Sequence, residues 1–180
     1  MKSEKGFTIV EILVIIPIIA ILSSFLILYN RSTEKQLILF REQARLISTL
    51  NRAKGLALAF FREPSGEIVC SYGVRIFPDP VSSYVIFKDL PGVSGTCSDS
   101  NNSYDDPSEN FSSVVQVDKA IEIEITATTL INVVFIPPDP RVVLNGDSSL
   151  TADQKITLKL KDSNVSRVVK VNKAGQITAE

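Results

Sequence analysis

Any chemistry in this chain must be done without histidine. The 180 residues contain neither histidine nor tryptophan, which removes the commonest general base and the commonest metal ligand together. Serines are plentiful and a Ser–Lys pair is compatible with the sequence, yet no histidine-based triad can form and no glycine-rich phosphate loop is present. The expectation is a protein that is not an enzyme. Cys70 and Cys97 are the only thiols, too few for a zinc site without histidine. In an oxidising compartment they can form a disulfide, closing a loop whose chain entropy is worth roughly 3 to 4 kcal/mol; held reduced, they would pack as small hydrophobes.

Two further groups of side chains invite a chemical reading. The polar stretch from Gly92 to Asn110 carries Asp99, Asn101, Ser103, Asp105, Asp106 and Glu109, oxygen ligands of the kind calcium takes. Asp99, Asn101, Asp105 and Glu109 are the candidate calcium ligands, and no other cofactor is implied. Against calcium, Tyr104 stands where an EF-hand turn needs glycine, and Asn110 stands where the bidentate glutamate belongs, with Glu109 one residue early. The competing reading is a solvated acidic loop tethered at Cys97. Lys155, Lys159, Lys161, Arg167, Lys170 and Lys173 make the last strands basic. Few aromatics interleave them to stack bases, so a solvated strand face is the better reading and DNA is not an expected partner.

Glu11 is the remaining oddity, the only ionisable side chain between Phe7 and the tyrosine at 29. As a helix this run would be about 35 Å long, enough to cross a bilayer. Leu22, Ser23 and Ser24 make a poor signal-peptidase site, so the run is expected to stay as a transmembrane helix. Lys2 and Lys5 precede it and Arg31 and Lys35 follow it, a weak orientation signal; the short tail favours an amino terminus on the inside. Pro17 has no N–H for the Leu13 carbonyl, which predicts a kink near Pro17. A carboxylate in lipid is costly and usually functional.

Lys5-Gly6-Phe7-Thr8-Ile9-Val10-Glu11, followed by Ile12–Ile16 and Ile18–Leu22, resembles the processing and assembly segment of type IV pilins and type II secretion pseudopilins. The resemblance implies a leader over 1–6, cleavage by a prepilin peptidase between Gly6 and Phe7, N-methylation of Phe7, and a register-setting pair between Glu11 and the Phe7 amine of a neighbouring subunit. It implies a structural subunit of a pilus or secretion pseudopilus, partnered by other pilin subunits, an inner-membrane assembly platform and the lipid bilayer. Such a subunit is single-pass in the cytoplasmic membrane, then extracytoplasmic in the filament. Tyr72-Gly73-Val74, Ser83-Tyr84-Val85-Ile86-Phe87 and the closing hairpin are similar to minor, H-type pseudopilins. The rival readings are a membrane-anchored extracytoplasmic binding or adhesin-like domain and a DNA-capturing minor pilin.

With 44% hydrophobic residues the chain can build a real core and is expected to form one globular unit. A formal charge of -1 and a pI near 5.6 leave no overall footprint for nucleic acid or anionic lipid. Beyond the apolar helix of 7–29, Leu37, Phe40, Ala44, Ile47, Leu50, Lys54, Leu58 and Phe61 recur at helical spacing, predicting an amphipathic helix over 30–61. Thr33-Glu34-Lys35-Gln36 reads as a capping box that could restart the helix, and Arg62–Gly66 supplies turn chemistry. Residues 62–180 then read as strands over 67–77, 83–88, 121–125, 131–136, 155–161 and 165–171, with a final hairpin. The expected fold is α+β and pilin-like: a long amino-terminal helix, transmembrane then amphipathic, packed on an antiparallel sheet.

Overall fold

The computed structural model describes residues 6, 8–59, 66–78, 81–126, 129–137, 141–147 and 154–180, with the side chains of 26–32 excluded. The leader over 1–5, Phe7, and the helix end and turn over 60–65 lie outside the described residues. The chain divides after Leu37 into two compact units, where the sequence suggested one. Among the described residues one α-helix, α1 (Ile9–Leu58), contributes to both, and each unit is considered by itself.

In the first unit Thr8 precedes the first residue of α1, and its carbonyl accepts the Ile12 N–H at 3.3 Å. The helix runs without interruption through Pro17 and through Thr33, so the restart anticipated there does not occur. Every described side chain from Thr8 to Phe25 is exposed. The transmembrane half of the expected fold is corrected: among the described residues no helix is long and apolar enough to cross a membrane.

The second unit holds the last part of α1, from Ile38 to Leu58 and about six turns long, against two antiparallel sheets. The first sheet runs β3 (Val115–Gln116), β2 (Ser83–Asp89), β1 (Ser71–Phe77), β5 (Asn132–Ile136), β6 (Arg141–Leu144); the second runs β4 (Ile121–Glu124), β7 (Gln154–Leu160), β8 (Ser166–Val171), β9 (Ile177–Ala179). Leu46, Leu50, Ala53 and Ala57 of the helix share one core with Val74, Ile86 and Val133 of the first sheet and Ile156, Leu158 and Val169 of the second. The buried seam of the helix is Leu39, Glu42, Gln43, Leu46, Leu50, Ala53 and Ala57; it shares Leu50 with the predicted stripe, whose Leu37, Phe40 and Leu58 are exposed. A polar residue occupies the seam because Gln43 Nε2 donates to the Val168 and Glu180 carbonyls at 2.9 and 3.1 Å, tying the helix to the last hairpin.

Strands β3 and β6 were not anticipated. β6 leads into an Asn145–Gly146 turn with φ of 53° and 77°, and the Asn145 side chain accepts the Ile131 and Asn132 amides at 2.8 and 3.0 Å. Gly73, at the centre of β1, is forced by packing. A Cβ there would stand 2.5 Å from the Val133 carbonyl and 2.6 Å from the Phe87 ring.

Candidate functional site

The residues singled out for chemistry fall at three places. The first is the start of α1. Thr8 and Glu11 are spaced as a capping box: Glu11 Oε2 accepts the Thr8 amide at 2.8 Å and the Thr8 hydroxyl at 2.9 Å, while the Glu11 amide donates to Thr8 Oγ1 at 3.3 Å. These bonds, the backbone one foremost, hold the Glu11 carboxyl below its ordinary value. The carboxylate that lacked a partner in the sequence has one three residues away in its own helix. The signal was present as Thr8-x-x-Glu11 and was overlooked in favour of the pattern at Thr33. Gly6 is exposed with open space around it; Phe7 lies outside the described residues.

The second place is the polar loop between β2 and β3, which contains two single 3-10 turns, Cys97–Asp99 and Pro107–Glu109. Its carboxylates are spent on the loop itself. Asp99 accepts the Ser94 amide at 2.6 Å and Asp106 caps the second turn through the Ser108 amide at 2.7 Å; the Ser94 amide foremost lowers the Asp99 carboxyl, and the Ser108 hydroxyl, then its amide, lowers that of Asp106. Asn101 donates to both Asp105 oxygens at 2.8 and 2.9 Å, and buried Glu109 accepts the Asp105 amide at 2.8 Å. Burial is the main cause that raises Glu109, with Asp105 and Asp89 adding repulsion. Among the described residues no three acidic or thiol groups converge as metal ligands. Asp99, Asn101, Asp105 and Glu109, the four candidate calcium ligands, line one cleft of about 220 Å³, with Asn101, Asp105 and Glu109 hydrogen-bonded to one another and Asp99 to Ser94.

Tyr104 explains why so polar a loop is so long. Its ring packs edge-on against Phe77 and Phe87 at 5.7 and 5.5 Å between centroids, so the loop covers the face of the first sheet formed by Phe87, Val134 and Val143. Asn132 Nδ2 donates to Ser103 at 3.1 Å. A disulfide joins Cys70, just before β1, to Cys97 in the loop. Asp89, at the end of β2, accepts from Ser71 at 3.0 Å and from the Ser100 hydroxyl of the loop. Asp89 is buried, and that burial raises its carboxyl above the usual range despite both hydroxyls. Sequence reasoning missed both Asp89 and Tyr104, although an aromatic in the middle of a polar stretch is a recognisable anchor.

The third place is the second sheet and its basic residues. Lys170 pairs with Glu180 at 2.6 Å, Lys159 stands opposite Glu122 in the ladder, and the Arg167 guanidinium lies 5.9 Å from the Phe40 ring centre. Lys170, Lys159 and Arg167 thus each have a local partner, while Lys155 stands opposite Lys170 in the β7–β8 ladder. Beside the same sheet, a polar cleft of about 430 Å³ opens between outer strand β4 and the segment holding Pro78 and Ser82.

Compared with known proteins, the chain matches no family model, no curated protein and no solved structure. The resemblance of Lys5–Glu11 to pilins and pseudopilins is therefore corrected, as is the looser likeness of Tyr72–Val74 and Ser83–Phe87 to H-type subunits: neither extends to a match over the chain. With it go the reading as a pilus or secretion subunit, its membrane-anchored rivals, and the single-pass location in the cytoplasmic membrane, which required a span that the described helix does not supply. The findings support a small α+β domain of unassigned family.

Proposed function

We propose that this chain is a non-catalytic association domain whose apolar helical segment, Ile9–Phe25, is buried against apolar helices of other protein chains, copies of itself first. The observation that carries this reading is the exposure of apolar side chains on every face of the segment: Ile9, Leu13, Ile16, Leu22 and Phe25 are each more than 60% exposed. A helix apolar all round is stable in water only when covered, by protein or by lipid. The absence of a membrane-spanning helix among the described residues favours protein. Because apolar residues occupy all faces rather than one stripe, a single partner helix would leave half of them wet, so a bundle of several helices is the fitting occupant. The lack of histidine and the internal use of the loop carboxylates support a role without catalysis.

Cysteine placed at Ile15 or Ile19 in the full chain tests this by disulfide crosslinking between copies. Efficient crosslinking at both positions, lost on dilution with an excess of an Ile12→Glu/Ile16→Glu double variant, is the expected result. Absence of crosslinks in solution, with recovery of the protein only on phosphatidylcholine vesicles, would overturn the reading in favour of lipid.

A further inference from the structure

We infer that the free edge of β4, with the cleft beside it, is a docking site for an extended peptide of another protein that alternates basic and apolar residues. The site is independent of the apolar helix. One side of β4 is paired with β7, and the phase of that pairing is fixed by the Lys161 amide donating to the Ala120 carbonyl at 3.0 Å. By the alternation of an antiparallel ladder, Glu122 and Glu124 turn their backbone groups toward β7, while Ile121, Ile123 and Ile125 turn theirs outward. Two outward amides are taken: Ile121 N–H by the Asp118 carbonyl at 2.9 Å and Ile123 N–H by Ser82 Oγ at 3.0 Å. The Ile123 carbonyl and the Ile125 amide have no hydrogen bond to another described residue. Ile123 is only 4% exposed, so the group offered on the open side is the Ile125 amide, a donor of the kind from which strand addition is built.

Charge and shape specify the occupant. The cleft is lined by Pro78, Ser82, Glu122, Ile123, Glu124, Ile125 and Lys161. Glu122 and Glu124 share one face of β4, and on the inner side their cross-strand neighbours are Lys159 and Thr157. An added strand would place alternate residues beside the same two carboxylates, where Lys or Arg fits and Asp or Glu is repelled. The intervening residues would lie against Ile125, which is 64% exposed. A second copy is disfavoured as occupant. Its own β4 would bring glutamates against glutamates, and its lysine-bearing strands β7 and β8 are inner strands, each already paired on both sides.

A fluorescein-labelled peptide of alternating lysine and valine, added to the full-length protein, tests the inference. Binding in the micromolar range, with slowed exchange of the Ile125 amide, is expected. Affinity should fall at least tenfold in Ile125→Pro, which removes the donor, and in Glu122→Lys/Glu124→Lys, which should instead take a peptide of alternating glutamate and valine. Circular dichroism confirms that each variant is folded, and Ile125→Ala, which keeps the donor, should bind within about threefold of wild type. Equal affinity for a peptide of the same composition with its lysines in one block, or for the Ile125→Pro protein, would overturn strand addition and leave only diffuse charge attraction. Dimerisation abolished by Ile125→Pro, with no peptide binding, would overturn the choice of occupant in favour of a second copy.

Discussion

Glu11 and Asp89 are both carboxylates held by hydroxyl donors, and they are driven in opposite directions. Glu11 is exposed, so the hydrogen bonds from Thr8 dominate and its folded value is lowered. Its contribution is present above the ordinary glutamate value of about 4.3 and is lost as the pH falls through the lower folded value. The chemical shifts of Ile9 and Val10 should therefore stay helical at and above the ordinary glutamate value and move toward coil only as the pH falls below it, and Thr8→Ala should fray the same turn at neutral pH. Asp89 is buried and its folded value is raised. Its contribution is fully present below the ordinary aspartate value of about 3.9 and is lost as the pH rises through the raised value. Replacing Asp89 by asparagine removes that loss. The stability of Asp89→Asn relative to wild type, from urea titrations, should rise between about pH 4 and 7; a constant difference would contradict the buried-carboxylate account. Neither carboxylate's environment could be read from composition. Glu11's partner was legible three residues upstream, whereas Asp89's burial depends on a loop returning from Cys97 and Ser100.

At the scale of elements, the alternation of Ile121, Ile123 and Ile125 with glutamates and the runs around Tyr84, Val133 and Ile156 made most strands legible, because half-buried strands repeat every two residues. The helix was legible in extent but not in rotation. Gln43 sits in the buried seam because two strand carbonyls need its amide, and Ala53 and Ala57 sit there because small side chains let the helix approach the sheets. A hydrophobicity pattern scores Gln43 as surface and gives the two alanines little weight. β6 was missed because it is only Arg141–Leu144 and follows a proline-rich segment; the Asn145–Gly146 pair was its available signal. Gly73 was legible only as a weak point in a strand, while the structure makes it indispensable. Gly73→Ala should destabilise by about 3 kcal/mol, the upper end for overpacking, because one of the two clashes is with backbone. A shift in the urea midpoint at unchanged slope would measure it; a loss under about 0.5 kcal/mol would show that the three strands can part at little cost.

For the molecule as a whole, the disulfide and the apolar helix serve different ends. The Cys70–Cys97 bond closes a separation of 27 residues around the loop that shields Phe87 and Val134. Replacing both cysteines with serine should lower stability by roughly 3 to 4 kcal/mol on the chain-entropy model, read as a lower thermal midpoint, and should increase exchange of the β2 amides beneath the loop. The α+β class was legible from a helical run followed by alternating strands. The amino-terminal segment misled because an apolar run with a lone acid fits a membrane span, a filament subunit and an oligomerisation helix alike. Within that run the Glu11 carboxylate is hydrogen-bonded by Thr8. Sedimentation equilibrium of the full chain in aqueous buffer tests the central claim most directly, since it reads association through Ile9–Phe25 without assuming a partner. The account predicts a reversible oligomer at micromolar concentration that becomes monomeric in the Ile12→Glu/Ile16→Glu double variant, with the α+β unit still folded; a stable wild-type monomer at the same concentration would contradict it.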